Sequence, residues 1–266
     1  MVRTERIQKM RHKILIYADY GCADVTCLQS ELKEYFEPRG CEVGLTDAAG
    51  IIRNNDLSSN VLAFFLPGGA GTPYRRKLEV LGNDKIREYV ANGGIYYGIC
   101  AGAYYACRQT IFENDIPELR IVSECGLNLV EGQAIGTLYK ELNIRPYDKN
   151  AASSAVVGLV WQDNQKFAAH YHGGPYFEGE NIADADVLAR YDLPSAKPAI
   201  ISQNYGRGKV ILSGVHYENK GETLARVIHK LRLDEAEAQH VAQELTAAEP
   251  LRKALFDKLM SQSELA

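Results

Sequence analysis

Residues 98–102 read Gly-Ile-Cys-Ala-Gly, one cysteine with a glycine two places before it and another two places after it. The apolar run at 95–99 ahead of it predicts a strand, and residues 101–109 behind it predict a helix. A side chain at so sharp a strand-to-helix turn is pushed clear of the sheet. Neighbouring backbone crowds the flanking positions, which suit a residue without a Cβ. The new helix would aim unpaired N–H groups and its positive end at the sulfur, the setting in which cysteines become nucleophiles. The chemistry is attack on a carbonyl, with the same N–H groups holding the oxyanion. Read alone, the pentapeptide is also consistent with a buried strand-end cysteine beside packing glycines.

A cysteine nucleophile works with a base, and the chain has six histidines. His12, His229 and His240 lie in polar or helical surroundings and read as surface residues. His216 follows an apolar run in Ile-Leu-Ser-Gly-Val-His-Tyr-Glu-Asn, with Glu218 two places on. In extended chain those two side chains share a face, so Glu218 can orient the imidazole. Pro-Gly-Gly-Ala-Gly at 67–71 follows another apolar run and offers uncovered backbone N–H groups. Gly69 and Ala101 are therefore the expected oxyanion donors, with Gly68 and Ala70 beside the substrate; a plain tight turn is the other reading of that loop. In His-Tyr-His-Gly-Gly-Pro-Tyr-Phe at 170–177 no third metal ligand is signposted, so neither a metal nor a cofactor is expected. His172, Gly173 and Gly174 are expected to line the substrate pocket with Tyr104. Ordinary core packing would explain His170, His172 and Tyr104 equally well.

The elements that must position these residues alternate. Residues 13–18, 41–46, 61–66 and 95–99 predict buried strands, and the intervening stretches predict helices. Asp24 would cap a helix with Val25, Leu28, Leu32, Tyr35 and Phe36 inward, and Asn83 another with Ile86, Tyr89 and Val90 inward. This is an α/β sheet with its loops gathered at one edge. Further short strands follow from about residue 154 to residue 214, and from Glu222 the pattern is helical, with Asp234 and Pro250 at helix starts. The expected organisation is a tail at 1–12, one α/β domain at 13–221, and a C-terminal helical extension at 222–266 that is appended or serves as a face for a protein partner.

The chain has 266 residues, 46% of them hydrophobic, and a net charge of −4, which gives no general basic footprint for nucleic acid. No stretch approaches the roughly 20 apolar residues of a membrane span, and the basic start lacks a signal-peptide pattern, so a cytoplasmic location is expected. The six cysteines match no zinc spacing; five read as small buried hydrophobes.

Together, the cysteine between glycines, the earlier Pro-Gly-Gly loop and the late His-x-Glu resemble the class I glutamine amidotransferase-like superfamily. More narrowly, Phe-Leu-Pro-Gly-Gly-Ala-Gly-Thr-Pro-Tyr, Tyr-Tyr-Gly-Ile-Cys-Ala-Gly-Ala-Tyr-Tyr-Ala, Tyr-His-Gly-Gly-Pro-Tyr-Phe and Tyr-Gly-Arg-Gly-Lys-Val-Ile-Leu-Ser-Gly-Val-His-Tyr-Glu come in that order and resemble the amino-terminal domain of eukaryotic-type biotin–protein ligases, over roughly 13–218. The resemblance implies a flavodoxin-like three-layer α/β sandwich with a mainly parallel central sheet. It implies Cys100 as nucleophile with His216 and Glu218 as partners. Gly206–Val210 reads as a turn between strands rather than a biotinyl-adenylate loop, so no ligase activity is expected, and Tyr217 stands where amidotransferases usually carry proline. The expected function is a cysteine-dependent amidase or amidotransferase-like hydrolase acting on a small amide. The alternative is a non-catalytic binding or regulatory module on the same fold. A third reading, the protease and stress-chaperone branch of the superfamily, would put Asp19 or Asp24 beside the cysteine.

Overall fold

The computed structural model describes residues 12–148, 151–179, 182, 186–230 and 236–263. The first half alternates strand and helix: β1 (Lys13–Tyr17), α1 (Thr26–Phe36), β2 (Glu42–Thr46), α2 (Ala48–Arg53), β3 (Val61–Leu66), α3 (Gly71–Ala91), β4 (Ile95–Ile99) and α4 (Ala101–Ala106). There follow β5 (Cys107–Phe112), β6 (Ile121–Glu124), β7 (Val130–Gly136), α5 (Tyr139–Leu142), β8 (Ala155–Trp161), β9 (Lys166–Tyr171), β10 (Tyr176–Glu178), β11 (Asp186–Tyr191), β12 (Pro198–Tyr205) and β13 (Gly208–Ser213). Three helices close the described chain: α6 (Gly221–Lys230), α7 (Ala236–Ala247) and α8 (Glu249–Met260).

Nine strands form the central sheet in the order β2-β1-β3-β4-β13-β12-β11-β8-β9. The five from β2 to β13 run parallel, and every pairing from β13 outward is antiparallel. Both faces are covered, so the strands read as unbroken apolar runs rather than alternating ones. Ile14, Ala63, Phe65, Tyr97 and Ile99 point to one face, where α1 and α8 pack. Leu15, Tyr17, Phe64, Leu66 and Tyr96 point to the other, under α2, α3 and α4. The outermost strand β9 comes back toward the parallel half, where His170 forms an isolated antiparallel bridge with His216. The antiparallel half therefore curls over the carboxyl end of β13.

The structure corrects four readings. The helix after Cys100 ends at Ala106 and not near residue 109. Cys107–Phe112 is instead a strand of a second sheet, ordered β10-β7-β5-β6, in which β-branched Thr110 and Ile111 pair along β7. Asn83 is not a cap: α3 begins at Gly71, breaks at Glu79 with φ 49°, and continues, while the buried Asn83 side-chain Oδ1 accepts from the Tyr105 hydroxyl at 2.8 Å. Asp24 does take the Thr26 amide at 2.8 Å, although Val25 holds the N-cap position itself. Lastly, α8 is no appendage. Leu255, Phe256, Leu259 and Met260 are fully buried in the core of the central sheet, so this helix is part of a layer and its apolar face is spent on the fold. Pro250 lies in its first turn, and Asp234 falls outside the described residues. Among the described residues no helix is long and apolar enough to cross a membrane.

Candidate functional site

Three neighbouring parallel strands deliver the site. The carboxyl ends of β3, β4 and β13 lie side by side, with Leu66 in register with Gly98 and Ser213 with Ile99. Beyond those ends come Gly68, Cys100 and His216, so residues distant in sequence meet at one rim, where open α/β sheets place their ligands.

Cys100 is the hinge between β4 and α4, with φ 48° and ψ −105°, a backbone conformation that a side-chain-bearing residue rarely adopts. The flanking glycines have a steric cause. A Cβ at Gly98 would sit 2.7 Å from the Gly102 carbonyl oxygen, and one at Gly102 would sit 1.9 Å from the Leu66 carbonyl oxygen. The turn is tight enough that neither position admits a side chain. The Cys100 amide donates to the Ser213 carbonyl at 2.9 Å, which fixes the turn against β13.

His216 lies over this turn. Its Nδ1 is 2.8 Å from Glu218 Oε1, and a Cβ built at Gly68 would lie 2.6 Å from the ring's Cε1 and 3.6 Å from Cys100 Cβ, so the ring and the cysteine flank the same small space. With Nδ1 engaged, Nε2 is the nitrogen that remains for the thiol. Burial opposes charge on the ring, but the Glu218 carboxylate and Cys100 outweigh it and hold the imidazole well above its ordinary range. All three residues are buried, with 7%, 8% and 6% of Cys100, His216 and Glu218 exposed, so little water competes for their contacts. Gly68 makes room for the ring: a Cβ there would be 2.6 Å from His216 Cε1.

The loop after β3 lies antiparallel to residues 21–23. Ala23 donates to the Gly68 carbonyl and Ala70 to the Gly21 carbonyl, both at 2.9 Å. That pattern leaves the Gly69 N–H outside the pairing. Neither Gly69 nor Ala101 donates to a backbone acceptor among the described residues, and Gly69 and Ala70 are exposed.

The remaining residues are placed as follows. His172 turns its ring toward Ser153 Oγ at 3.1 Å and the Asp148 carbonyl at 3.0 Å, while its own carbonyl accepts from Cys100 Sγ at 3.6 Å. Tyr104 is buried and its hydroxyl donates to the Gly173 carbonyl at 3.2 Å, so it ties the elbow helix to that loop. Gly174 packs its backbone on Gly214, where a Cβ would lie 1.9 Å from the carbonyl oxygen. Asp19 accepts from the Tyr20 and Ala48 amides and pairs with Lys77, and Asp24 accepts from the Thr26 amide just ahead of α1. Neither is the carboxylate on His216, which is Glu218. Among the described residues no group of three or more His, Cys, Asp or Glu side chains is placed to hold a metal ion.

Three residues of this neighbourhood were not singled out from the sequence. The Tyr147 ring lies 5.2 Å from His172, and burial first, then the nearby Cys100, raise its phenol above the ordinary range. Asn219 Nδ2 donates to His170 Nδ1 at 2.9 Å. Arg252 donates to the Tyr217 carbonyl at 2.6 Å, between His216 and Glu218. Only Arg252 left a signal: it lies three and four places before Leu255 and Phe256, a charge on the apolar stripe of a helix.

The comparisons agree with this architecture. At 19% identity, a glutamine amidotransferase crystal structure covers 88% of this chain and 98% of its own, with a TM-score of 0.51. A glutamine amidotransferase from Thermotoga maritima covers 95% and 98% with a TM-score of 0.56 at 14% identity. Likeness at such identities speaks for the fold. In sequence, an uncharacterized protein of Chlamydia muridarum (strain MoPn / Nigg) is 31% identical over 94% of this chain and 95% of its own length. The biotin–protein ligase of Schizosaccharomyces pombe is 29% identical over 79% of this chain, which spans 34% of that enzyme's length. The family described as "Biotin-protein ligase, N terminal" matches residues 12–266, α8 included, and the chain belongs to that family.

Proposed function

We propose that the protein is a cysteine-dependent hydrolase of an amide C–N bond. The observation that carries this reading is one imidazole, bonded to the Glu218 carboxylate at 2.8 Å, that shares the space above Gly68 with Cys100 at a strained elbow. In this mechanism the thiol proton passes to His216, where the Glu218 carboxylate stabilises it and orients the ring, and the sulfur attacks the substrate carbonyl as thiolate. The carbonyl oxygen becomes an oxyanion facing the Gly69 and Ala101 amides. Collapse forms the thioester and breaks the C–N bond. The amine or ammonia leaves with the proton from His216, and water activated by the same imidazole releases the acid and regenerates the thiol. The buried neighbourhood favours this, because hydrogen bonds and charges act more strongly where water is excluded.

The test begins with an electrophilic thiol probe and a panel of small amides. Cys100 labels faster than free cysteine, and His216→Ala lowers that rate about 10²-fold or more, the scale of a lost general base. Cys100→Ala abolishes amide turnover. Labelling no faster than free cysteine, and unchanged in His216→Ala, would overturn the proposal. A metabolite that raises the melting temperature equally in wild type and Cys100→Ser, without turnover, would point to the binding module instead.

A further inference from the structure

Every residue from His216 to Lys220 is tied from outside the segment. The His216 amide donates to the His170 carbonyl at 2.8 Å, and Asn219 returns to the His170 ring at 2.9 Å. The Glu218 carbonyl accepts from Cys27 Sγ at 3.1 Å, and Lys220 pairs with Glu31. The Tyr217 carbonyl, in the peptide between Tyr217 and Glu218, accepts from Arg252 Nη1 at 2.6 Å. Arg252 is fully buried in α8, and its Nε and both Nη2 donors go to carboxylates. Glu31 of α1, also fully buried, accepts from Nη2 at 2.9 Å, and Glu249 accepts from Nε at 2.7 Å and from Nη2 at 2.6 Å.

We propose that Arg252, held by Glu31 and Glu249, is a positioning residue that sets the geometry of the His216–Glu218 pair. This rests on the cysteine-hydrolase reading above. The plane of the 217–218 peptide fixes where the Glu218 Cα–Cβ bond points. A guanidinium clamped between two carboxylates holds that plane, and the carboxylate reaches Nδ1 at 2.8 Å. Without the donor the carbonyl is buried and unsatisfied, so the peptide turns to find another partner and Glu218 moves with it. A lysine cannot reproduce the clamp, because a single ammonium lacks the planar fork that serves a carbonyl and two carboxylates together. The C-terminal helix, which packs on the same face of the sheet as α1, thus takes part in the site.

The experiment uses the full chain in four forms: wild type, Arg252→Lys, Arg252→Met, and the pair Glu31→Gln with Arg252→Met. The pair removes both fully buried charges and leaves only the partly exposed Lys220 and Glu249, which water can reach, a replacement that folds often tolerate. The probe is iodoacetamide. Its rate at Cys100 is followed by mass spectrometry between about pH 5 and pH 9, a range that spans the titration of histidine and cysteine, with circular dichroism to confirm folding. Arg252→Met and the pair lower the rate at neutral pH about tenfold or more and move the half-maximal pH upward by about one unit, with Arg252→Lys between them and wild type. A purely structural role would lower the melting temperature and leave that profile in place, and that result would overturn the proposal. If Arg252→Met does not fold, the pair decides. His216→Ala, run alongside, separates the two levels. If its profile matches wild type, the hydrolase reading falls and this inference with it. If it differs from wild type while folded Arg252 variants do not, only the positioning role is lost.

Discussion

A Cβ at Gly68 would meet a side chain, whereas one at Gly102 would meet backbone, so the two glycines predict different penalties. In Gly68→Ala the His216 ring can shift away from a Cβ 2.6 Å from its Cε1, but only by straining its bond to Glu218. We expect a loss of about 1–3 kcal/mol in stability, as for other overpacked sites, and a slower Cys100 labelling rate. Gly102→Ala sets a Cβ 1.9 Å from the Leu66 carbonyl oxygen, which cannot yield without moving β3, so its melting temperature falls further. Two histidines give the stability profile opposite slopes. Burial first, then His216 and His172, push His170 well below its ordinary 6.5. As pH falls through 6.5 the unfolded chain takes a proton that folded His170 refuses, and stability drops by up to about 1.4 kcal/mol per pH unit. His216 is raised above 6.5, so its contribution is complete below that pH and is lost as pH rises through the folded value. Denaturant melts across pH should show a flatter acid side in His170→Gln and a flatter alkaline side in His216→Gln.

Among the elements, α8 has the most to test. Phe256 is fully buried beside Tyr35 and Tyr217, while Leu251 on the same helix is 45% exposed. Phe256→Ala should cost about 3–5 kcal/mol, and Leu251→Ala should stay within about 0.5 kcal/mol. Equal effects in chemical denaturation would mean the helix is not packed in the core. The helix is tied at its end as well: the Tyr97 hydroxyl, rising from β4, bonds the Leu259 carbonyl at 3.0 Å and Ser263 Oγ at 2.7 Å. Helical periodicity alone made 222–266 look detachable, because an amphipathic stripe says that a face is buried but not against what. The second sheet was hidden for a related reason. Cys107–Phe112 continues from α4 without a Gly or Pro signal, and its pairing with β7 joins residues more than twenty places apart.

For the molecule as a whole, two apolar cores lie on opposite faces of a single sheet and share its strands. Losing either face strips the other, so equilibrium unfolding should be one transition with matching calorimetric and van't Hoff enthalpies. Two separated transitions would show that the antiparallel half and its helices form a unit of their own. The sequence was sufficient for the α/β class, for the parallel strands and for the elbow, because these rest on local physics. Continuous apolar runs mark strands covered on both faces, and glycine spacing marks a turn where no Cβ fits. It was sufficient also to nominate His216 and Glu218, since an extended chain places positions two apart on one side. Tertiary structure alone decided which strand ends lie next to one another, that β9 returns to His216, and that Arg252 of the last described helix reaches the Tyr217 carbonyl. Those contacts join segments that no local pattern links, and they form only once burial of both sheet faces has fixed the order of the strands.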